Sequence, residues 1–289
     1  MTETREIHDS PLTPADWLES RLDDPSVRVI EIDSDTRGEL IDYLEGHIPK
    51  AVRWHWREML WHDTDREFPT PEEMAARLGN EGISEDDTIV LVSDRAQFAT
   101  YAYWVFTMCG IQNVRILDIV HQTWVAEDRP LSRTIPRFEE TEYVPGTGDQ
   151  TPRVGRRNVR DNLDNPDRLL LDARNPEEYT GERVKPYGAP VDHGAHRWGR
   201  IPGAKHMFYR EFLHDDDRYR TVEEMQEAFR REGIDLDEET REIVTYCRSS
   251  HRASFVWFLL THLLDYDDVK VYDGSWTEWG SIVGYPVEP

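Results

Sequence analysis

Ile243–Leu264 reads IVTYCRSSHRASFVWFLLTHLL. A short apolar run leads into Cys247, a polar stretch follows from Arg248 to Arg252, and a strongly apolar helical segment comes after it. The pattern predicts a buried strand, a tight loop and a core helix, with Cys247 at the base of a cradle. The loop's backbone N–H groups and the N-terminus of the following helix both favour negative charge, so both stabilise a thiolate there.

Composition narrows what surrounds this centre. The 289 residues are enough for two domains of ordinary size. A hydrophobic fraction of 38% with 11% aromatics supports real cores and argues against a largely disordered chain. No stretch approaches the length of a membrane-spanning helix, and the segment MTETREIHDSPLTPADW carries no apolar run of the signal-peptide kind. A cytoplasmic location with no membrane partner is the default expectation. The formal charge of −24 argues against nucleic acid as a partner, because phosphate contacts need a basic face. Lys50, Lys185, Lys205 and Lys270 are the four lysines, and the other basic residues are Arg. Such a carboxylate-rich surface fits a salt-loving host or a high-GC genome, and the sequence does not separate the two. An anionic protein that handles an anionic substrate needs Arg placed locally.

Two cysteines do not make a disulfide scaffold in a chain of this size. Cys109 ends the apolar helical stretch YAYWVFTMCG and reads as a small buried hydrophobe. Cys247, flanked by Arg and Ser, stands in a different environment.

In chain order, Thr13–Glu19 reads as a short helix with Pro14 in its first turn, and Val27–Ile32 as a strand ending at Asp33. Ala51–Trp54 reads as a short strand. Thr70-Pro71-Glu72-Glu73 opens a helix to about Leu78, with a Thr cap and Glu at the third position. Thr88–Val92, helical Phe98–Cys109 and the strand Val114–Leu117 follow. Short buried strands alternating with helices predict an α/β class with a mostly parallel sheet flanked by helices. Residues 136–157, rich in Pro, Gly, Thr and charge, read as a linker. The expected domains are therefore 10–135 and 158–289.

The second half repeats the first. Leu169–Asp172 is a strand ending in Asp, as is Val29–Asp33. Gly199-Arg200-Ile201-Pro202-Gly203-Ala204 echoes Gly46-His47-Ile48-Pro49-Lys50-Ala51, and Thr221–Met225 echoes Thr70–Met74. The spacing from His47 to Asp94 and from Arg200 to Cys247 is 47 residues in both halves. Duplication follows. The spacing fails once: Asp33 to Gly46 is 13 residues, whereas Asp172 to Gly199 is 27. The extra residues lie in Gly181–Trp198, a loop carrying His193 and His196, with His206 nearby. No Cys or well-spaced carboxylate completes a metal set, so the reading is a surface loop and no metal.

A thiolate at such a turn suits three chemistries. Acyl transfer needs a His base and an orienting group, and His251 lies inside the same short loop. Cysteine phosphatases place five residues between Cys and Arg, whereas four, Arg248, Ser249, Ser250 and His251, separate Cys247 from Arg252. A smaller ring of N–H donors disfavours a phosphate ester. In sulfur transfer the thiolate takes the outer sulfur of a donor such as thiosulfate and holds it as a persulfide while sulfite departs. The donor's charge calls for guanidinium groups, which Arg248 and Arg252 supply, and loop N–H groups hold the terminal sulfur as an oxyanion hole would.

Taken together, Asp172-Ala173-Arg174 with Glu178-Tyr179 and Gly181, the Gly199–Ala204 turn, Cys247-Arg248 and Asp273-Gly274-Ser275-Trp276-Thr277-Glu278-Trp279 resemble the tandem-domain rhodanese family of thiosulfate and 3-mercaptopyruvate sulfurtransferases. The resemblance covers about residues 10–283. It implies two similar α/β domains, with the N-terminal one catalytically silent because Asp94 stands where Cys247 stands in the other. It implies Cys247 as nucleophile, substrate contacts from Arg248, Arg252, Ser249, Ser250, His251 and Arg174, and no dissociable cofactor. Arg174 reads either as a substrate contact or as a support for Asp172 and a loop carbonyl. Trp276 reads either as packing or as an apolar wall that keeps water from the persulfide. Within the family, Arg directly after the Cys resembles the thiosulfate branch. The chain departs from the family pattern at Ser250, where Gly is common, at Arg200, where His is usual, and at Glu178, where a basic residue is frequent. Ser250 fits if its φ is negative or mild strain is tolerated. The implied partners are a small anionic sulfur donor and a cyanide or thiol acceptor, with a protein sulfur acceptor as a further option. The alternatives are a 3-mercaptopyruvate sulfurtransferase and a persulfide carrier with poor small-molecule turnover.

Overall fold

The structure, a computed structural model, describes residues 10–34, 41–184, 194–236 and 242–289, with the backbone alone at 41 and 42. The chain divides into two compact units, Met1–Gln150 with Asp215–Arg218, and Thr151–His214 with Tyr219–Pro289. The first holds strands β1 (Leu12–Thr13), β2 (Val27–Asp33), β3 (Val52–His55), β4 (Thr88–Ser93) and β5 (Val114–Leu117). Its helices are α1 (Ala15–Glu19), α2 (Ile41–Glu45), α3 (Trp56–Leu60), α4 (Pro71–Asn80), α5 (Ala96–Met108) and α6 (His121–Ala126). The second holds β6 (Arg153–Val154), β7 (Arg168–Asp172), β8 (Lys205–His206), β9 (Glu242–Tyr246) and β10 (Val269–Tyr272). Its helices are α7 (Arg156–Asp161), α8 (Pro176–Tyr179), α9 (Val222–Arg231), α10 (His251–Phe258) and α11 (Ser275–Trp279).

Both sheets are parallel, and their strand orders match, β1-β5-β4-β2-β3 and β6-β10-β9-β7-β8. The central strands β4 and β9 are buried at every position after the first, so their residues do not alternate between a core and a solvent face. Asp94 and Cys247 follow directly from these two strands. They stand at carboxyl ends of central strands, where open α/β sheets place their sites.

Local chemistry explains the helices around them. Thr70 and Thr221 cap α4 and α9 and receive N–H bonds from Glu73 and Glu224, whose carboxylates reach back to the cap N–H groups. Both are capping boxes, each satisfying donors that a helix end leaves open.

The structure differs from the sequence reading at three places. Thr13 lies in β1 rather than in the first helix, because Leu12 and Thr13 pair with Ile116 and Leu117. An edge strand of two residues leaves no periodicity to read. The expected linker 136–157 ends early: Arg153 and Val154 pair with β10, and α7 starts at Arg156. Before that, the strap lies against its own unit through Thr141 N–H to Gly79 O and Gly146 N–H to Gly110 O. Gly82 and Gly110 make room for it. Both have positive φ, and a Cβ would come within 2.7 Å of Glu139 O at Gly82 and 2.6 Å of Gly146 O at Gly110. Finally, the helix behind Cys247 widens into a π-turn at Leu259–Leu263, closed by Leu264 N–H to Leu259 O.

A half-buried acid on β2 stands out in the first unit. Glu31 accepts the Ile48 N–H at 2.7 Å, yet burial pushes its carboxyl up from an ordinary 4.5 to about 8. Its folded value lies above its unfolded one, so its contribution is fully present below pH 4.5 and is lost as pH rises through about 8. Glu31→Gln keeps the acceptor and removes the proton loss. Its stability advantage over the parent is expected to grow between pH 5 and 8, by at most about 1.4 kcal/mol per pH unit. Urea unfolding at several pH values checks this, and a pH-independent difference between the two proteins would refute it.

Candidate active site

Cys247 leaves β9 with its sulfur buried. The loop after it is held from one side by α11. Trp276 N–H donates to Cys247 O at 2.9 Å, and Thr277 donates to Arg248 O through its N–H at 3.1 Å and its hydroxyl at 2.7 Å. In a trans peptide the C=O and the next N–H point in opposite directions. Pinning those two carbonyls onto α11 therefore turns the Arg248 and Ser249 N–H groups away from it. Further on, Ser254 N–H closes the first turn of α10 onto Ser250 O. No acceptor among the described residues takes the N–H groups of Ser249, Arg252 or Ala253. The loop and the first turn of α10 thus keep backbone donors in hand for an anion.

The loop residues fall into distinct environments. Arg248 is partly exposed. Ser249 Oγ lies 3.3 Å from His251 Nδ1, so these two side chains of the loop bind each other. Ser250 is fully buried with φ at +66°, which settles the question left at this departure from the family pattern. The backbone is left-handed, which costs a non-glycine residue about 1–2 kcal/mol. Ser250 Oγ donates to Asp273 Oδ1 at 2.9 Å, a bond that glycine cannot make. Ser275 Oγ accepts N–H bonds from Cys247 at 3.1 Å and Ser250 at 3.4 Å and donates to Tyr272 O.

Arg252, expected as a donor contact, is buried and engaged with protein. Its Nη1 donates to Glu178 Oε2 at 2.6 Å and Asn175 Oδ1 at 2.9 Å, and its Nη2 to Glu178 Oε1 at 3.0 Å. Burial alone would push the guanidinium down, but the Glu178 carboxylate outweighs it, with a further contribution from Cys247, and keeps Arg252 charged. The acidic residue at 178 is thereby explained as the counter-charge of Arg252. Arg174, left between support and substrate contact, is fully buried. Its Nε and Nη2 go to Asp172, Nη2 also reaches Gly199 O, and its guanidinium lies 4.6 Å from the Trp276 ring centroid. That arrangement ties the end of β7 to the Gly199 turn. Trp276 is fully buried, and its indole N–H donates to Arg197 O.

Arg197 is a structural residue that the sequence reading missed. It comes from the inserted loop and donates to the carbonyls of Trp279, Gly280, Ile282 and Tyr285. Only backbone acceptors are involved, so no sequence pattern announces it. His196 is exposed, and His206 Nε2 contacts Arg174 O while its ring stacks on Tyr179. His193 and Lys185 lie outside the described residues. Among the described residues no three His, Cys, Asp or Glu side chains gather as a metal would need.

In the first unit Asp94 occupies the position of Cys247. Burial pushes its carboxyl up, partly offset by Ser34, Arg95 and Ser93. A carboxylate there carries no transferable sulfur. Cys109 accompanies it only as core: its thiol is pushed up to about 12 by burial.

With this geometry in place, the comparisons with known proteins are direct. The Rhodanese-like domain family matches twice, over residues 14–127 and 156–282. The chain therefore belongs to the rhodanese family, as two tandem copies of its domain. A Haloferax volcanii protein provisionally named thiosulfate sulfurtransferase is 39% identical over 283 residues, covering 96% of each chain. The sulfur carrier protein TtuD of Thermus thermophilus is 37% identical over 284 residues, covering 97% of each. Among solved structures, an anaerobic ergothioneine biosynthesis enzyme from Chlorobium limicola superposes with a TM-score of 0.82 at 23% identity, over 100% of this chain and 72% of that one. YnjE gives 0.79 at 23%, over 96% and 68%. These structures show the shared fold. Rhodanese-type persulfide chemistry is supported by the family and by both relatives.

Two outcomes test the local energetics. Ser250→Ala keeps the left-handed strain and loses the bond to Asp273, so it is expected to cost about 2 kcal/mol. Ser250→Gly loses the bond but relieves the strain, and should stay within about 1 kcal/mol of the parent. Equal losses in denaturant unfolding would contradict this account. Glu178→Ala leaves Arg252 buried without its counter-charge and is expected to cost about 3–5 kcal/mol, measured in the same way.

Proposed function

We propose that the protein is a thiosulfate sulfurtransferase working through a Cys247 persulfide. The observation that carries the reading is the pinned loop, which turns backbone N–H groups away from α11 beside the one cysteine that stands at the end of a central strand. The Cys247 thiolate attacks the outer sulfur of thiosulfate. The S–S bond of the donor breaks, and its electron pair leaves with sulfite. The bound sulfur, now the end of Cys247–S–S⁻, is stabilised by the loop donors, as an oxyanion would be. Cyanide or a thiolate then attacks that outer sulfur, and Cys247 departs as the thiolate, ready for the next donor.

Arg248, the partly exposed cation next to the sulfur, is assigned to the donor's sulfonate end. Arg252 contributes its charge from inside the fold while remaining on Glu178, rather than by gripping the donor. Ser249 and His251 complete the rim of the loop. Trp276, fully buried in the core of the unit, is assigned to keeping water from the persulfide.

The persulfide-carrier reading is retained on one observation: TtuD, a sulfur carrier protein, is 37% identical over nearly the whole chain. Intact-mass measurement after thiosulfate addition, with sulfite release followed alongside, tests both. An adduct of one sulfur atom is expected on the parent and not on Cys247→Ala. Without that adduct, every sulfur-transfer reading fails. Turnover with cyanide then separates an enzyme from a carrier, which would form the adduct and release it poorly. A much larger kcat/KM with 3-mercaptopyruvate than with thiosulfate would displace the assigned donor.

A further inference from the structure

We propose that Ser275 is a positioning residue for Cys247, fixing through its hydroxyl the backbone direction on which the sulfur cradle depends. This rests on reading Cys247 as the sulfur carrier. Ser275 is fully buried and sits at the start of α11, so it acts through the loop. Its Oγ gives its single proton to Tyr272 O at 2.8 Å. Only lone pairs are then left to face the loop. They accept the N–H of Cys247 at 3.1 Å and of Ser250 at 3.4 Å, the two ends of the Cys247-Arg248-Ser249-Ser250 segment. One atom thus clamps both ends of that segment, while Trp276 and Thr277 hold the carbonyls between them.

Backbone strain singles out the same residue. Ser275 has φ +51° and Ser250 has φ +66°. Left-handed backbone at a residue with a side chain persists only where its surroundings enforce it, and such strain concentrates at functional sites. The duplicated chain supplies an internal control. Asp118-Ile119-Val120-His121-Gln122-Thr123-Trp124 matches Asp273-Gly274-Ser275-Trp276-Thr277-Glu278-Trp279 in position after its strand. There Val120 stands for Ser275, with φ −83° and no hydroxyl. The residue just before α5, Arg95, closes a loop of two residues rather than four and has φ −143°. The strained, hydroxyl-bearing arrangement occurs in the copy with the cysteine and is missing from the copy with Asp94. The two sheets have the same strand order, so the sheet itself does not call for the arrangement.

Without the hydroxyl, the N–H groups of Cys247 and Ser250 lose their acceptor, and the segment is held at its carbonyls alone with both ends released. Release of both ends lets the segment shift about its two carbonyl anchors, so the Arg248 and Ser249 donors sit less closely on the sulfur, and the thiolate and the persulfide lose stabilisation together.

The test uses the full-length protein and Ser275→Gly, because glycine adopts the positive φ without strain while losing the hydroxymethyl group. Two readouts are taken: the pH–rate profile of Cys247 alkylation by iodoacetamide, and the single-turnover rate of persulfide formation with thiosulfate. The variant is expected to melt close to the parent, to need a higher pH for the same alkylation rate, and to form persulfide about 10-fold more slowly, with the thiosulfate KM changed less than about 2-fold. Parental alkylation and parental persulfide formation in the variant would overturn the proposal. If the glycine variant does not fold, Ser275→Cys keeps the size with a weaker acceptor, and peptide-level mass analysis separates its thiol from Cys247. The same direction of change supports the proposal, and parental behaviour overturns it. A parent that alkylates but forms no persulfide sinks the sulfur-transfer reading, while the alkylation profile still decides the part played by Ser275.

Discussion

The rigid peptide plane is the constraint on which the site depends. Two carbonyls, those of Cys247 and Arg248, are bound by the first turn of α11. Because each plane carries its N–H opposite its C=O, the orientation of the donors is dictated from behind, without any group touching the sulfur. The cradle is built by occupying the other side of the loop. This places much of the design in the Asp273–Trp279 segment rather than in the loop itself.

A second layer consists of buried charges, each matched to a partner. Arg174 lies on Asp172, Arg252 on Glu178, and Asp273 receives both Ser250 and Arg153. Buried ion pairs add little net stability compared with apolar packing, but breaking one is costly, so they hold a geometry more than they deepen a well. Here they tie the ends of β7, β9 and β10 to one another around the loop. A chain with formal charge −24 still keeps two arginines, Arg174 and Arg252, buried in its second unit.

The family, the α/β class and the duplication were legible because they rest on long features: apolar runs, capping boxes and a fixed interval between motifs. The two-residue strands β1 and β6 were not, since pairing at a sheet edge leaves no period in so short a piece. At the site, Cys247 stood out through its neighbours Arg248 and Ser249. The part played by Arg252 did not, because the arginine reads the same whether its charge meets a ligand or Glu178. The acidic residue at 178 was noticed as a departure, and only the fold shows that the two belong together. Ser250 and Ser275 were opaque for another reason, since the sign of φ is not written in a serine.

Arg197 reaches four carbonyls of the C-terminal segment and uses no side chain there. The path of that segment is therefore set by a residue of the inserted loop and is indifferent to what the segment's own side chains are. Substitutions at Ile282 or Tyr285 can change packing without releasing the tether, whereas a change at the single position 197 loosens all four anchor points at once. The insertion that distinguishes the second copy from the first thus acts as a fastening for the Trp279–Tyr285 segment.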